Sequence, residues 1–233
     1  MNLFYAPEIS EGLFTIDKEE SAHLVRVLRI KANDLVHFTD GKGFFYECKI
    51  VDANPKKCTV LVEKKYEGKG KRNFFLQIGI APTKNISRFE WFLEKSTEIG
   101  IDTITPLICA HSERKEVKIG RLDKVITAAV KQSIKAYHPK LEEKQTFNSF
   151  IEQPFNGQKF IGYVEKEISL SLAKAYLPGS NAIVLIGPEG DFSPEEIELA
   201  KNNGFIPINL GQSRLRTETA GVVACHTINL LNA

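Results

Sequence analysis

Arg214, Arg216 and Glu218 crowd the end of the stretch Leu210-Gly211-Gln212-Ser213-Arg214-Leu215-Arg216-Thr217-Glu218-Thr219-Ala220, where an apolar helix begins. An arginine at a helix N-terminus opposes the macrodipole, so local stability does not account for them. Arginine beside a carboxylate can neutralise charge developing on an oxygen while a proton is moved. A second candidate stretch is Gly187-Pro188-Glu189-Gly190-Asp191. No G-K-[ST] follows it and G-x-G-x-x-G is absent, so phosphate cradling is disfavoured. Glu189 and Asp191 suit a positively charged ligand better. Taken alone, this loop also reads as a tight turn before a well-capped helix.

Both loops need strands to hold them. Residues 182–186 form a β-branched run ending at Gly187, and Ser193-Pro194-Glu195-Glu196 supplies an N-cap, a proline at the first helical position and a capping-box glutamate. Gly204 ends that helix. Residues 205–210 are a second apolar run, Gly211 opens the second loop, and Thr217 starts a helix reaching Leu231. Such loops on one edge of a sheet make a ligand crevice.

Upstream, strand patterns at 74–81, 101–110 and 160–164 alternate with helices. Ser87-Arg88-Phe89-Glu90 reads as a capping box opening a helix to Gly100. Leu122, Val125, Ile126, Ala129, Val130, Ser133 and Ile134 form one stripe of a helix over 121–136, and a short helix follows at 169–176. This alternation implies an α/β fold with a mostly parallel sheet. Before it, an Asp17 capping box opens a helix with Leu24, Val27 and Leu28 on one face. Strands at 34–39, 44–51 and 58–66 then make a small β domain. The Gly/Lys-rich run 67–72 divides the chain into domains 1–72 and 73–233. Phe4, Tyr5, Trp91 and Phe92 read as core and His23 as structural.

Residues 1–140 carry 24 Lys and Arg against 18 Asp and Glu, a net +6, and the remainder 7 against 11, a net −4. The first part therefore favours a polyanionic partner. Apolar runs fall short of the roughly 20 residues a membrane span needs, and the start lacks a signal-peptide pattern, so a cytoplasmic protein without membrane contact is expected. Cys48, Cys58, Cys109 and Cys225 are scattered without clustered histidines, which suggests neither disulfides nor a metal site.

The paired motifs I-G-P-E-G-D-F-S-P-E-E-I and L-G-x-x-x-L-R-T-E-T-A resemble the bacterial 16S ribosomal RNA (uracil-N3) methyltransferases of the SPOUT class. His23-Leu24-Val25-Arg26-Val27-Leu28-Arg29 and the helix from Arg88-Phe89-Glu90-Trp91 to Gly100 extend the likeness over nearly the whole chain. The resemblance implies an N-terminal PUA-like β-barrel and a C-terminal trefoil knot, with a homodimer as the working form. It also implies S-adenosyl-L-methionine as cofactor and a uridine of 16S rRNA in the small ribosomal subunit as target.

By the same carry-over, the donor would be held by Tyr163, Val164 and Glu165, by Leu185, Ile186, Gly187, Pro188, Glu189 and Gly190, and by Leu210, Gly211, Leu215, Thr217 and Thr219. RNA contact falls to Arg26, Arg29 and Lys31 on the small domain, with Lys84 and Arg88 on the larger one. Uracil N3 must lose its proton. Arg216 is the expected contact to the flanking carbonyl oxygen, and Glu218 is either the base or the group that orients Arg216, with orientation preferred. The sequence departs from the family pattern at three places: Asp191 where a glycine is expected, Ser213-Arg214 where arginine and an aliphatic residue are, and Lys131-Gln132-Ser133-Ile134-Lys135 in place of E-Q-S-G-R. An RNA-binding assembly protein without catalysis and a methyltransferase for another RNA are the alternatives.

Overall fold

The computed structural model describes residues 3–163 and 170–233, which divide into two units. One contains Met1–Lys71 together with Val130–His138. Its strands β1 (Leu3–Tyr5), β2 (Gly12–Thr15), β3 (Leu35–Thr39), β4 (Phe44–Asp52) and β5 (Thr59–Glu67) form a sheet in the order β1-β3-β4-β5-β2. β1 runs parallel to β3 and the other pairs are antiparallel. β3 to β5 follow the expected strands, whereas β1 and β2 are too short for period-two alternation to show them. Phe4, Phe38, Cys48, Ile50 and Val60 fill the core of this unit.

Asp17 caps α1 (Lys18–Ala22), accepting from the amides of Glu19 and Glu20 at 2.9 and 3.0 Å. Glu20 does not return to the cap; it pairs with Lys131 at 2.7 Å. A π-helical turn, His23–Val27, follows and rotates the expected apolar face. Only Leu24 is buried, while Val27 is 64 % and Leu28 36 % exposed. His23 is exposed as well, contrary to a structural role in the core.

Residues 130–138 reach this unit from the end of the helix Ile119–Gln132. Ala136 is buried with Leu3 and Phe45, the Gly43 amide donates to its carbonyl, and the His138 ring stacks on Tyr5 at 4.7 Å. The expected helix to 136 stops early because Ile134 turns left-handed at φ 54°, which leaves it exposed rather than on the buried stripe. That conformation costs a β-branched residue about 1–2 kcal/mol. The anchors on Ala136 and His138 hold it.

The second unit, Arg72–Ala129 with Pro139–Ala233, contains β6 (Leu76–Ile80), α2 (Ile86–Ile99), β7 (Thr103–Ile108) and α3 (Ile119–Gln132), whose last residues belong to the first unit. Then come β8 (Lys140–Leu141), β9 (Gln145–Thr146), α4 (Phe147–Ile151), β10 (Gln158–Gly162), α5 (Leu172–Ala175), β11 (Ala182–Ile186), α6 (Pro194–Asn202), β12 (Ile206–Ile208) and α7 (Thr217–Leu231). The sheet is parallel in the order β12-β10-β11-β6-β7-β8, with β9 also on β7. β11 is buried along its length, as a strand covered on both faces must be.

Ser193 and Glu196 close the expected capping box of α6, with Pro194 in its first turn. α2 is capped two residues earlier than expected: Asn85 is the N-cap in place of Ser87, and its Oδ1 accepts from the Ser87 amide at 3.1 Å. Gly100 ends α2 at φ 128°. Phe92 is fully buried, but Trp91 is exposed.

Gly68 shows how tightly residues 130–138 pack in the first unit, since a Cβ there would lie 2.1 Å from the Ala136 Cβ. Gly68→Ala is expected to lower unfolding free energy by about 1–3 kcal/mol, visible as a fall in thermal midpoint.

Candidate functional site

β10, β11 and β12 end side by side. Gly162 is in register with Ile186 on one side and Ile208 on the other, so the three strands end at one level of the carboxyl edge. β10 connects forward to β11, and the chain then crosses back over β10 to β12. Such an arrangement opens a crevice between strand ends.

Gly187 and Pro188 of the first loop are buried and Glu189 and Gly190 exposed. A side chain at Gly187 would sit 3.1 Å from the Phe192 ring, and one at Gly190 would sit 3.1 Å from the His111 Cβ. Asp191 is left-handed at φ 61°, a conformation aspartate tolerates better than most residues, and its Oδ1 accepts from the Phe192 amide.

Glu189 Oε1 accepts from the Lys84 amide at 3.0 Å. Leu185 and Ile186 belong to the buried interior of the sheet. Tyr163 packs half-buried on the same core cluster as Leu185. Val164 and Glu165 lie outside the described residues.

Sequence reasoning missed the loop after β7. His111 Nδ1 is 3.1 Å from the carbonyls of both Gly190 and Asp191, which assigns the hydrogen to Nδ1. Arg114 donates to the carbonyls of Thr83 and Lys84, Lys84 pairs with Glu113 at 2.7 Å, and the Ala110 amide donates to Glu196. The run His111-Ser112-Glu113-Arg114 directly after a parallel strand was the available signal, because loops at that edge carry function.

The second loop is more open. Gly211 sits at φ 121° with nothing within 4 Å of where a Cβ would be, and Gln212, Ser213 and Arg214 are exposed. Leu210 and Leu215 are half-buried. Arg216 occupies the N-cap of α7, its side chain exposed and making no hydrogen bond or ion pair among the described residues. Thr217 is buried, Thr219 partly so, and Glu218 is only 7 % exposed. Glu218 Oε1 lies 3.9 Å from Arg88 Nε. The expected orienting contact from Glu218 to Arg216 is absent among the described residues.

On the first unit Arg26, Arg29 and Lys31 are exposed, and their side chains form no ion pair among the described residues. Arg29 is left-handed at φ 57°, so the π-helical turn and this reversal present the three cations to solvent. All four cysteines are free and buried. Burial pushes the Cys48 thiol up to about 12 and raises Cys58 and Cys109 as well, which removes them as nucleophiles. Among the described residues no cluster of three or more His, Cys, Asp or Glu could hold a metal, and no helix is long and apolar enough to cross a membrane.

Residues 71–229 match the family model of the RNA methyltransferase domain, and residues 16–63 match that of the RNA methyltransferase PUA domain. A probable rRNA-methyltransferase from Porphyromonas gingivalis is 40 % identical, with a TM-score of 0.91 over 100 % of this chain and 98 % of that one. The putative methyltransferase Lpg2936 of Legionella pneumophila, solved with bound SAM, is 26 % identical at a TM-score of 0.91 over 99 % and 97 %. The ribosomal RNA small subunit methyltransferase E of Bacillus subtilis is 27 % identical over 93 % of this chain and 89 % of its own. With one family model matching more than half of the chain and a second one matching β3, β4 and the start of β5, the chain belongs to the RNA methyltransferase family, as an enzyme with a PUA domain preceding its methyltransferase domain.

Proposed function

We propose that the chain transfers a methyl group from S-adenosylmethionine to N3 of a uridine in the 16S rRNA of the small ribosomal subunit, in the cytoplasm and as a homodimer. The observation that carries this reading is the exposed Arg216 at the α7 N-terminus, without an ion pair among the described residues and two residues before the buried Glu218, at the edge where β10, β11 and β12 end. The names of the curated relatives and the SAM-bound Legionella structure support it.

The residues present fit such a donor. Its adenine needs backbone polar groups and apolar walls. The backbone left open at Gly211 and the half-buried Tyr163, Leu210 and Leu215 offer both, and Ile186, Gly187, Pro188 and Gly190 at the end of β11 would complete the site. Thr217 and Thr219 flank the same loop. Leu185 and Glu189 act from behind, one as packing and the other by fixing the Lys84 loop. When bound, the donor supplies an electrophilic methyl on a sulfonium.

Uracil N3 becomes nucleophilic only as its proton leaves and charge spreads onto the neighbouring carbonyl oxygens. Arg216 stabilises that charge. Glu218, paired elsewhere than with Arg216, takes the N3 proton. The return of the chain from β12 across the sheet into α7 is read as the closing pass of a trefoil knot. Arg26, Arg29, Lys31 and Lys84 contact RNA phosphates, which positions the substrate without reading its sequence.

Reverse transcription of 16S rRNA from cells lacking the gene should lose one discrete stop, because N3 methylation blocks the pairing edge; an unchanged profile contradicts the substrate. Arg216→Ala should reduce methyl transfer to background while leaving donor affinity within about twofold, since its contact forms only as charge develops. Replacing both Arg26 and Arg29 with alanine should weaken RNA binding and lower the slope of log affinity against log salt by roughly 2.

A further inference from the structure

Helices α2 and α7 lie side by side and run in the same direction. Gly221 of α7 faces Phe92 of α2, and an added Cβ would stand 2.6 Å from the Phe92 ring and 2.8 Å from Ile80. One turn on, the Cys225 thiol lies between the Ser96 carbonyl at 3.8 Å and the Gly100 carbonyl at 3.4 Å, and another turn on Asn229 Nδ2 donates to the Gly100 carbonyl at 2.8 Å. Positions 221, 225 and 229 thus step along 92, 96 and 100 at helical spacing. Extending the seam one turn back brings Glu218 to Arg88, where the ion pair is found.

Arg88 is in the first turn of α2, where a cation opposes the helix dipole, so α2 itself gives no reason for it. Glu218 is in the first turn of α7, with its side chain about nine-tenths buried. Among the described residues Arg88 is its ion-pair partner, and the Arg88 side chain is itself only 41 % exposed. A carboxylate this far from water keeps its charge more easily beside a cation, and the partly exposed Arg88 supplies one. At 3.9 Å the contact is an ion pair rather than a short hydrogen bond, which leaves the carboxylate lone pairs free to accept elsewhere.

We infer that Arg88 is a positioning residue that holds the Glu218 carboxylate at the crevice, rather than a contact to RNA phosphate. The role assigned to Glu218 rests on the methyl-transfer reading; the pairing itself does not.

The test compares wild type with Arg88→Ala, Arg88→Lys, Glu218→Ala and the double alanine variant. Methyl transfer to small-subunit particles, RNA binding at several salt concentrations and urea unfolding are each measured. The expected result is a kcat at least tenfold lower in Arg88→Ala with RNA KM and salt slope unchanged, partial recovery in Arg88→Lys, and a double variant no slower than Glu218→Ala. The two substitutions should also be non-independent in the unfolding constant by at least threefold. A raised RNA KM with a salt slope lowered by about 1 and unchanged kcat would overturn the inference in favour of a phosphate contact. If wild type transfers no methyl group, the methyl-transfer reading fails; the unfolding cycle then decides the pairing, and independence of the two substitutions sinks it.

Discussion

The absence of a side chain at Gly221 is the constraint on which the rest of the second unit depends. It lets α7 lie against Phe92 of α2 and Ile80 of β6, although α7 follows β12 at the far edge of the sheet. Because the two helices are parallel, their N-termini meet at one end, and that end is the carboxyl edge of a parallel sheet. Glu218 and Arg88 meet there, with Arg216 two residues before Glu218 in the chain. A methyl at position 221 would push on two fully buried side chains, and close-packed interiors have no slack to absorb it.

The two glycine loops divide the work in a way their composition suggests only in part. The first is braced from outside: His111 holds two of its carbonyls, Glu189 is spent on the Lys84 amide, and Arg114 secures the loop after β6. The second loop has the opposite character, with Gly211 in open space and Arg214 and Arg216 exposed. A braced loop beside an exposed one whose arginines make no ion pair among the described residues is consistent with the proposed reaction, in which negative charge appears only transiently.

Local signals were legible where local physics decides. The Ser193 capping box, the buried run of β11 and the glycine stop at 100 can all be read from a few adjacent residues. Other features depend on distant partners. The π-helical turn after Ala22 exposes Val27 and Leu28, which an ideal helix would bury. Ile134 breaks the stripe of α3 because Ala136 and His138 are anchored on β-strand partners far away in sequence, and no local pattern marks residues 130–138 as part of the first unit. The family pattern expects glycine at both 134 and 191, and both positions are left-handed here, so that expectation has a backbone cause even where another residue stands. The Arg88–Glu218 pair was out of reach because residues 130 positions apart meet only through the α2–α7 seam.

The central claim is that the loops after β11 and β12 grip one methyl donor between them. Hydrogen exchange of the backbone amides with and without S-adenosylmethionine tests it most directly. The account predicts added protection in both 187–192 and 210–217, with the five-stranded unit unchanged. Protection confined to one loop, or found only in the first unit, would contradict it.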